Sequence, residues 1–193
     1  MSITNDELRD LNAKLLAKVQ NDVQKEPTLL PIPSNVARNM RGNVSPEARL
    51  DVRARGFWRP AQNAFFDVRV TNPFSATAMK SSLEKVCDYH EREKKNAYNH
   101  RIINIDHGTM TPLIYTVFGS VGKECDKFYK HLCQKIADKS NEKYDDVISW
   151  VRCKISFLCI KSCIRCLRDS RVIKKSIYIS DDFSMDNHNA NMF

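Results

Sequence analysis

Along residues 49–73, RLDVRARGFWRPAQNAFFDVRVTNP, apolar and polar positions alternate twice, with a turn between the two runs. Successive side chains of a strand point to opposite faces. Leu50, Val52, Ala54 and Gly56 therefore share one face of a first strand, and Arg49, Asp51, Arg53 and Arg55 the other. In a second strand Phe66, Val68 and Val70 share a face opposite Phe65, Asp67, Arg69 and Thr71. Each strand has an apolar side for a core and a polar side with an acid among bases.

Helical spacing governs most of the remainder. Leu8, Leu11, Leu15, Val19 and Val23 make a stripe that predicts a first helix running to Glu26-Pro27, where proline ends it. Residues 28–32, TLLPI, predict a short edge strand, since Pro31 lacks a ladder donor. Residues 34–46 read as a polar loop. A long helix is expected over 76–106, ending at His107-Gly108. Residues 111–118, TPLIYTVF, are apolar nearly throughout, as in a buried strand. Two helices follow, over 123–140 and 144–168, the second apolar on more than one side. After residue 170 the periodicity fades, and 171–193 read as an acidic, Asn-rich tail. The order is α+β: a small mixed β-sheet in αβββαβ order, then two C-terminal helices, in one domain over residues 1–170.

Charge narrows the function. The 193 residues carry 31 Lys+Arg against 23 Asp+Glu, a formal net charge of +8. The bases cluster: six Arg and two acids lie between Arg38 and Arg59, and eight bases and one acid between Arg152 and Lys175. Such clustering favours a polyanion partner, DNA or RNA. The polar N-terminus has no secretory h-region and no apolar run approaches bilayer length. Seven Cys without a secretion signal predict reduced thiols. A nuclear or cytoplasmic, unsecreted protein with neither membrane partner nor small-molecule cofactor is expected. Cys159, Cys163 and Cys166 fall on one side of a helix and read as buried thiols rather than a zinc site.

Two carboxylates and a guanidinium, Asp51, Asp67 and Arg69, are expected to converge on the polar face of the two strands. Phosphodiester hydrolysis needs such carboxylates to hold Mg²⁺ or Mn²⁺, and a basic group near the phosphate. Glu7, at the edge of the first helix's buried face, offers a third carboxylate for the metal. Ordinary cross-strand Asp–Arg pairs on a solvated face would show the same alternation. In the turn, Phe57, Trp58 and Arg59 serve either to stack on DNA or to staple the sheet.

The order αβββαβ, with R-L-D, fifteen intervening residues and then D-V-R, resembles the PD-(D/E)xK nuclease superfamily. RLDVRARGFW, NAFFDVRVTNP, YHEREKKNAYNHRI and HGTMTPLIYTVFGSVG together resemble, over about residues 6–168, the restriction-endonuclease-like domain at the C-terminal end of animal retroelement reverse-transcriptase polyproteins. The resemblance implies a metal-dependent endonuclease that nicks target DNA to prime reverse transcription. Carried over by position, Asp51 matches the first Asp of the motif, Asp67 its second acid, Arg69 its Lys and Glu7 its first-helix acid. Leu50 replaces the Pro of the motif. Arg69 cannot deprotonate but binds phosphate bidentately, and Lys94 or Lys95 of the following helix stands as a replacement lysine. Arg49, Arg53, Arg55, Arg59, Lys94 and Lys95 are the expected nucleic-acid contacts. A non-catalytic nucleic-acid-binding domain and, more remotely, a protein-interaction module presenting the long helix remain as rival readings.

Overall fold

The computed structural model describes residues 3–33, 42–75 and 78–169. The expected loop over 34–46 lies largely outside them, as does the expected tail. The chain runs α1 (Ile3–Ala17), β1 (Val23–Lys25), β2 (Val52–Arg55), β3 (Asn63–Thr71), a 3₁₀ turn (Ala78–Lys80), α2 (Leu83–Asn104), β4 (Thr109–Thr116), α3 (Lys123–Ser140) and α4 (Tyr144–Asp169). The four strands form one sheet in the order β1-β2-β3-β4. The first three are antiparallel neighbours, and β4 runs parallel to β3. This is the expected α+β class with a small mixed sheet.

Both faces of the sheet are covered. Val52, Ala54, Phe66, Val68, Leu113 and Tyr115 pack with Leu8, Leu15 and Leu16 of α1 and with residues of α3 and α4. Opposite them, Leu50, Phe65 and Met110 pack with Ile102 of α2 and with Leu29 and Ala48. The central strand β3 is consequently buried on both sides over Ala64–Val68, Asp67 included. Pro112 sits within β4 because β4 is an edge strand whose outer side needs no donor there.

Three boundaries differ from the sequence reading. The first helix stops at Ala17, and Val23 belongs to β1, where it pairs with Ala54. A β-branched residue four positions beyond Val19 continues a helical stripe on paper, but strand pairing with β2 claims it. The expected strand over 28–32 reduces to a single bridge, Thr28 with Arg49. The long helix starts at Leu83 and ends at Asn104. α4 is apolar on two sides as expected, with Val151, Ile155 and Cys159 buried and Trp150, Phe157, Ile160 and Ile164 exposed.

Two buried polar devices lock the layers together. Asn12 Nδ2 donates to the Tyr115 hydroxyl at 2.9 Å, and the Tyr129 hydroxyl donates to Asn12 Oδ1 at 2.6 Å. The two hydroxyls lie 2.7 Å apart, which closes a ring joining α1, β4 and α3. On the other side Arg101, 1 % exposed, donates to the carbonyls of Ser45 at 2.7 Å and Leu30 at 2.8 Å. Burial without a full ion pair pulls the Arg101 pKa below its usual value, with Asp106 opposing.

Candidate active site

β2 covers β3 only from Asn63 to Phe66. Beyond that point no strand among the described residues flanks β3 on its β2 side, and its N–H groups need other acceptors. Asp51 and Val52 both stand against Phe66, since Asp51 N–H donates to the Phe66 carbonyl at 3.2 Å while Val52 is its register partner. That is the geometry of a bulge, which re-aims a side chain at a sheet margin. It breaks the alternation that the sequence predicts. Leu50 joins the core beneath α2 rather than the face of Val52 and Ala54. The Asp51 carboxylate turns along the sheet, and its Oδ2 accepts from Val68 N–H at 2.6 Å. Two residues on, Val70 N–H donates to Asn5 Oδ1 from the first turn of α1 at 3.3 Å.

The missing stretch of β2 leaves a cleft of about 250 Å³, lined by Asn5, Glu26, Arg49, Leu50, Asp51, Asp67, Val68, Lys94 and Tyr98. Asp51 and Asp67 both line it, near enough for the charge of Asp67 to act on the Asp51 carboxyl. They are 6 % and 7 % exposed. From α2 the Lys94 ammonium reaches Asp67 Oδ2 at 2.7 Å. Burial, and then the negative charge of Asp67, push the Asp51 carboxyl up to about 7, against the opposing pull of the Val68 N–H and of Lys94. A raised carboxyl beside a second acid and a lysine in a cleft is a common functional-site signature.

The other expected site residues are placed differently. Glu7 lies away from the cleft, with Oε1 held by Lys161 at 3.1 Å and Arg165 at 2.8 Å. Its position on α1 turns it toward α4, so the first-helix residue that does enter the cleft is Asn5. Arg69 shares the Asp67 side of β3, but its guanidinium pairs with Glu93 at 2.9 Å and does not line the cleft. Lys95 points to Glu124 at 2.7 Å. Of the expected nucleic-acid contacts, Arg49 and Lys94 border the cleft. Arg53 pairs with Asp22 at 2.7 Å, Arg55 donates to the Ala61 carbonyl at 3.2 Å, and Arg59 is exposed. Phe57 is 1 % exposed, packed on Phe66 and Phe128. The Trp58 ring stacks on His131 and its Nε1–H donates to Thr111 Oγ1 at 3.0 Å. These two rings staple the sheet and are not available to wedge into DNA.

Glu26 is a cleft residue that sequence reasoning missed, as are Asn5 and Tyr98. It has a left-handed φ of 49° directly before Pro27, its N–H donates to the Asp51 carbonyl at 2.8 Å, and its carboxylate accepts from Arg9 at 2.8 Å. Glu26-Pro27 reads as a helix stop in sequence; only the pairing of β1 with β2 brings it beside Asp51.

Two carboxylates offer hard oxygen donors, which suit Mg²⁺ or Mn²⁺. Among the described residues no group of three or more His, Cys, Asp or Glu stands close enough to hold a metal. Asp51 and Asp67 would thus share a cation with water and substrate oxygens, as Mg²⁺ commonly does. No protein-family model matches the chain, and no curated protein matches it. Among the described residues no helix is long and apolar enough to cross a membrane.

Proposed function

We propose that the chain is a metal-dependent DNA endonuclease of the restriction-endonuclease-like kind, related to the nicking domain of retroelement reverse-transcriptase polyproteins. The observation that carries this reading is the meeting of Asp51, Asp67 and Lys94 in one cleft, drawn from three separate elements. The strand order and the parallel pairing of β3 with β4 are in keeping with it.

Asp51 and Asp67 would hold the divalent cation. A bound Mg²⁺ supplies Lewis-acid stabilisation of the charge that builds on the phosphoryl oxygens. Lys94 takes the part that the motif assigns to its lysine. Its compact ammonium, with three donors, offsets the Asp67 charge at rest and donates to a phosphate oxygen in the complex. The Arg49 side chain, more than half exposed on the rim, attracts the flanking phosphates. Arg69 keeps Glu93 occupied and so holds a free carboxylate away from the substrate phosphate.

Nicking of supercoiled plasmid by the purified chain, with Mg²⁺ or Mn²⁺ against EDTA, tests the reading. Metal-dependent nicking that disappears in Asp67→Ala is the expected result. Nicking that survives this change removes Asp67 from the site, and DNA binding without any nicking leaves a nucleic-acid-binding domain in place of a nuclease.

A further inference from the structure

One turn before Lys94, the outer side of α2 changes character. A groove of about 510 Å³ is lined by Ser75, Ser81, Lys85, Val86, Tyr89, His90 and Arg92. This lining combines an apolar floor, an aromatic ring and two permanent cations, and among the described residues it contains no carboxylate. Beside Ser75, Phe74 lies against Phe118, with ring centroids 5.2 Å apart and planes at 80°. Phe74 is 63 %, Phe118 59 % and Tyr89 61 % exposed. The rings sit together because β3 and β4 are parallel. Phe74 follows the end of β3 and Phe118 the end of β4, and Val117 N–H, donating to the Thr71 carbonyl at 3.1 Å, ties the two exits.

Tyr89 sharing a groove with Lys85 and Arg92, and the exposed Phe74–Phe118 pair next to Ser75 of that groove, suit a ligand that is flat, apolar on its faces and negatively charged at its edge. An unpaired nucleotide has that make-up: every base offers a π-face, and its phosphate meets lysine and arginine. The location agrees. His90 lines the groove and contacts Glu93 Oε2 through Nδ1 at 3.1 Å, and Glu93 pairs with Arg69. From His90 to Lys94 is one helical turn, a rise of about 6 Å, which about two nucleotides cover at about 3.4 Å each along one strand. We propose that this groove and the Phe74–Phe118 pair form a platform for an unpaired nucleobase, with Lys85 and Arg92 on the adjoining phosphates. The proposal rests on nucleic acid being the substrate of the neighbouring cleft.

The test uses the full chain carrying Asp67→Ala, in EDTA, with a single-stranded oligothymidine that holds one 2-aminopurine. Stacking on the rings is expected to quench the 2-aminopurine fluorescence. Phe74→Ala with Phe118→Ala is expected to abolish the quench and weaken single-strand binding about tenfold or more. Both side chains are exposed, so an unchanged thermal melt accompanies the loss. Lys85→Ala with Arg92→Ala is expected to flatten the slope of log affinity against log salt by about 1.4, at about 0.7 per phosphate contact. Quenching that persists in the phenylalanine double variant overturns the platform. Binding without quenching, or a double variant that changes only self-association, overturns it as well and marks a protein-docking patch. A wild-type chain that fails to nick plasmid while quenching intact 2-aminopurine sinks the nuclease reading alone; a nicking chain that never quenches sinks the platform alone.

Discussion

The Lys94 ammonium lies 2.7 Å from Oδ2 of Asp67, whereas Arg69, two residues from Asp67 in the same strand, is paired with Glu93. The positive charge beside the acidic pair therefore arrives from α2, not from the strand that carries Asp67. Replacing Lys94 by Ala is expected to lower plasmid nicking by about 10²-fold or more, the usual scale for a positioned charge or proton donor. Arg69→Ala is expected to cost far less, about threefold, because its partner is Glu93 in an exposed pair. Equal losses in initial nicking rates would return the role to Arg69.

Asp51 gives the fold a pH dependence. Its carboxyl holds a proton up to about pH 7 when folded and loses it near 3.8 when unfolded. Between those values the folded chain binds more protons, so stability falls as pH rises from about 4 to about 7 and stays lower above that. Asp51→Asn keeps an oxygen for Val68 N–H and removes the titration. The melting temperature of the variant is expected to exceed that of wild type at pH 8 by several degrees and to match it near pH 4. At pH 8, Mg²⁺ is expected to raise the wild-type melt and leave that of the variant unchanged.

The Asn12–Tyr115–Tyr129 ring predicts a stability cost without a change in chemistry. Tyr129→Phe strands Asn12 Oδ1 and leaves the Tyr115 hydroxyl with one partner fewer in a buried site. A loss of about 1–3 kcal/mol is expected. It reads as a lower urea midpoint at unchanged slope, with metal-dependent nicking retained in the folded fraction.

Glu91 and Gly122 form a coupled pair. α3 has Gly122 at its N-cap and no side-chain cap of its own; Glu91 Oε1, from α2, accepts from Glu124 N–H at 3.0 Å. A Cβ at position 122 would collide with that same oxygen. Glu91→Ala is expected to cost about 0.5–2 kcal/mol as a lost cap, and Gly122→Ala a similar amount through the clash. Because truncating the Glu91 side chain vacates the space, the double variant is expected to be less destabilised than the sum. Additive losses in denaturant titrations would mean the two do not meet.

Sequence patterning located the strands around Asp51 and Asp67, the two C-terminal helices and the sheet class, because alternation and helical spacing act over many residues at once. It did not show how the site closes. The bulge at Asp51 leaves no compositional trace: RLDVRAR alternates as cleanly as a regular strand would, yet Leu50 and Val52 enter opposite layers. Lys94 and Lys95 are adjacent and chemically alike, and only the rotation of α2 separates the one at Asp67 from the one at Glu124. Glu7 and Asn5 differ by two positions on a helix, enough to turn one toward α4 and the other toward β3. Arg101 sits in the charged stretch YHEREKKNAYNHR, and its burial depends on carbonyls more than fifty residues earlier in sequence.

The Asp51 carboxylate and the Asn5 amide oxygen do a second job where β2 ends. They occupy the Val68 and Val70 N–H groups of a bulged, interrupted strand margin. Left open, such a margin is a template on which a foreign strand can add. The acid proposed for catalysis thus also closes part of that margin. An inactive control built as Asp51→Ala would uncover part of that margin and carry an aggregation risk of its own, so a dead variant is better made at Asp67, whose carboxylate faces the Lys94 ammonium instead of the strand margin.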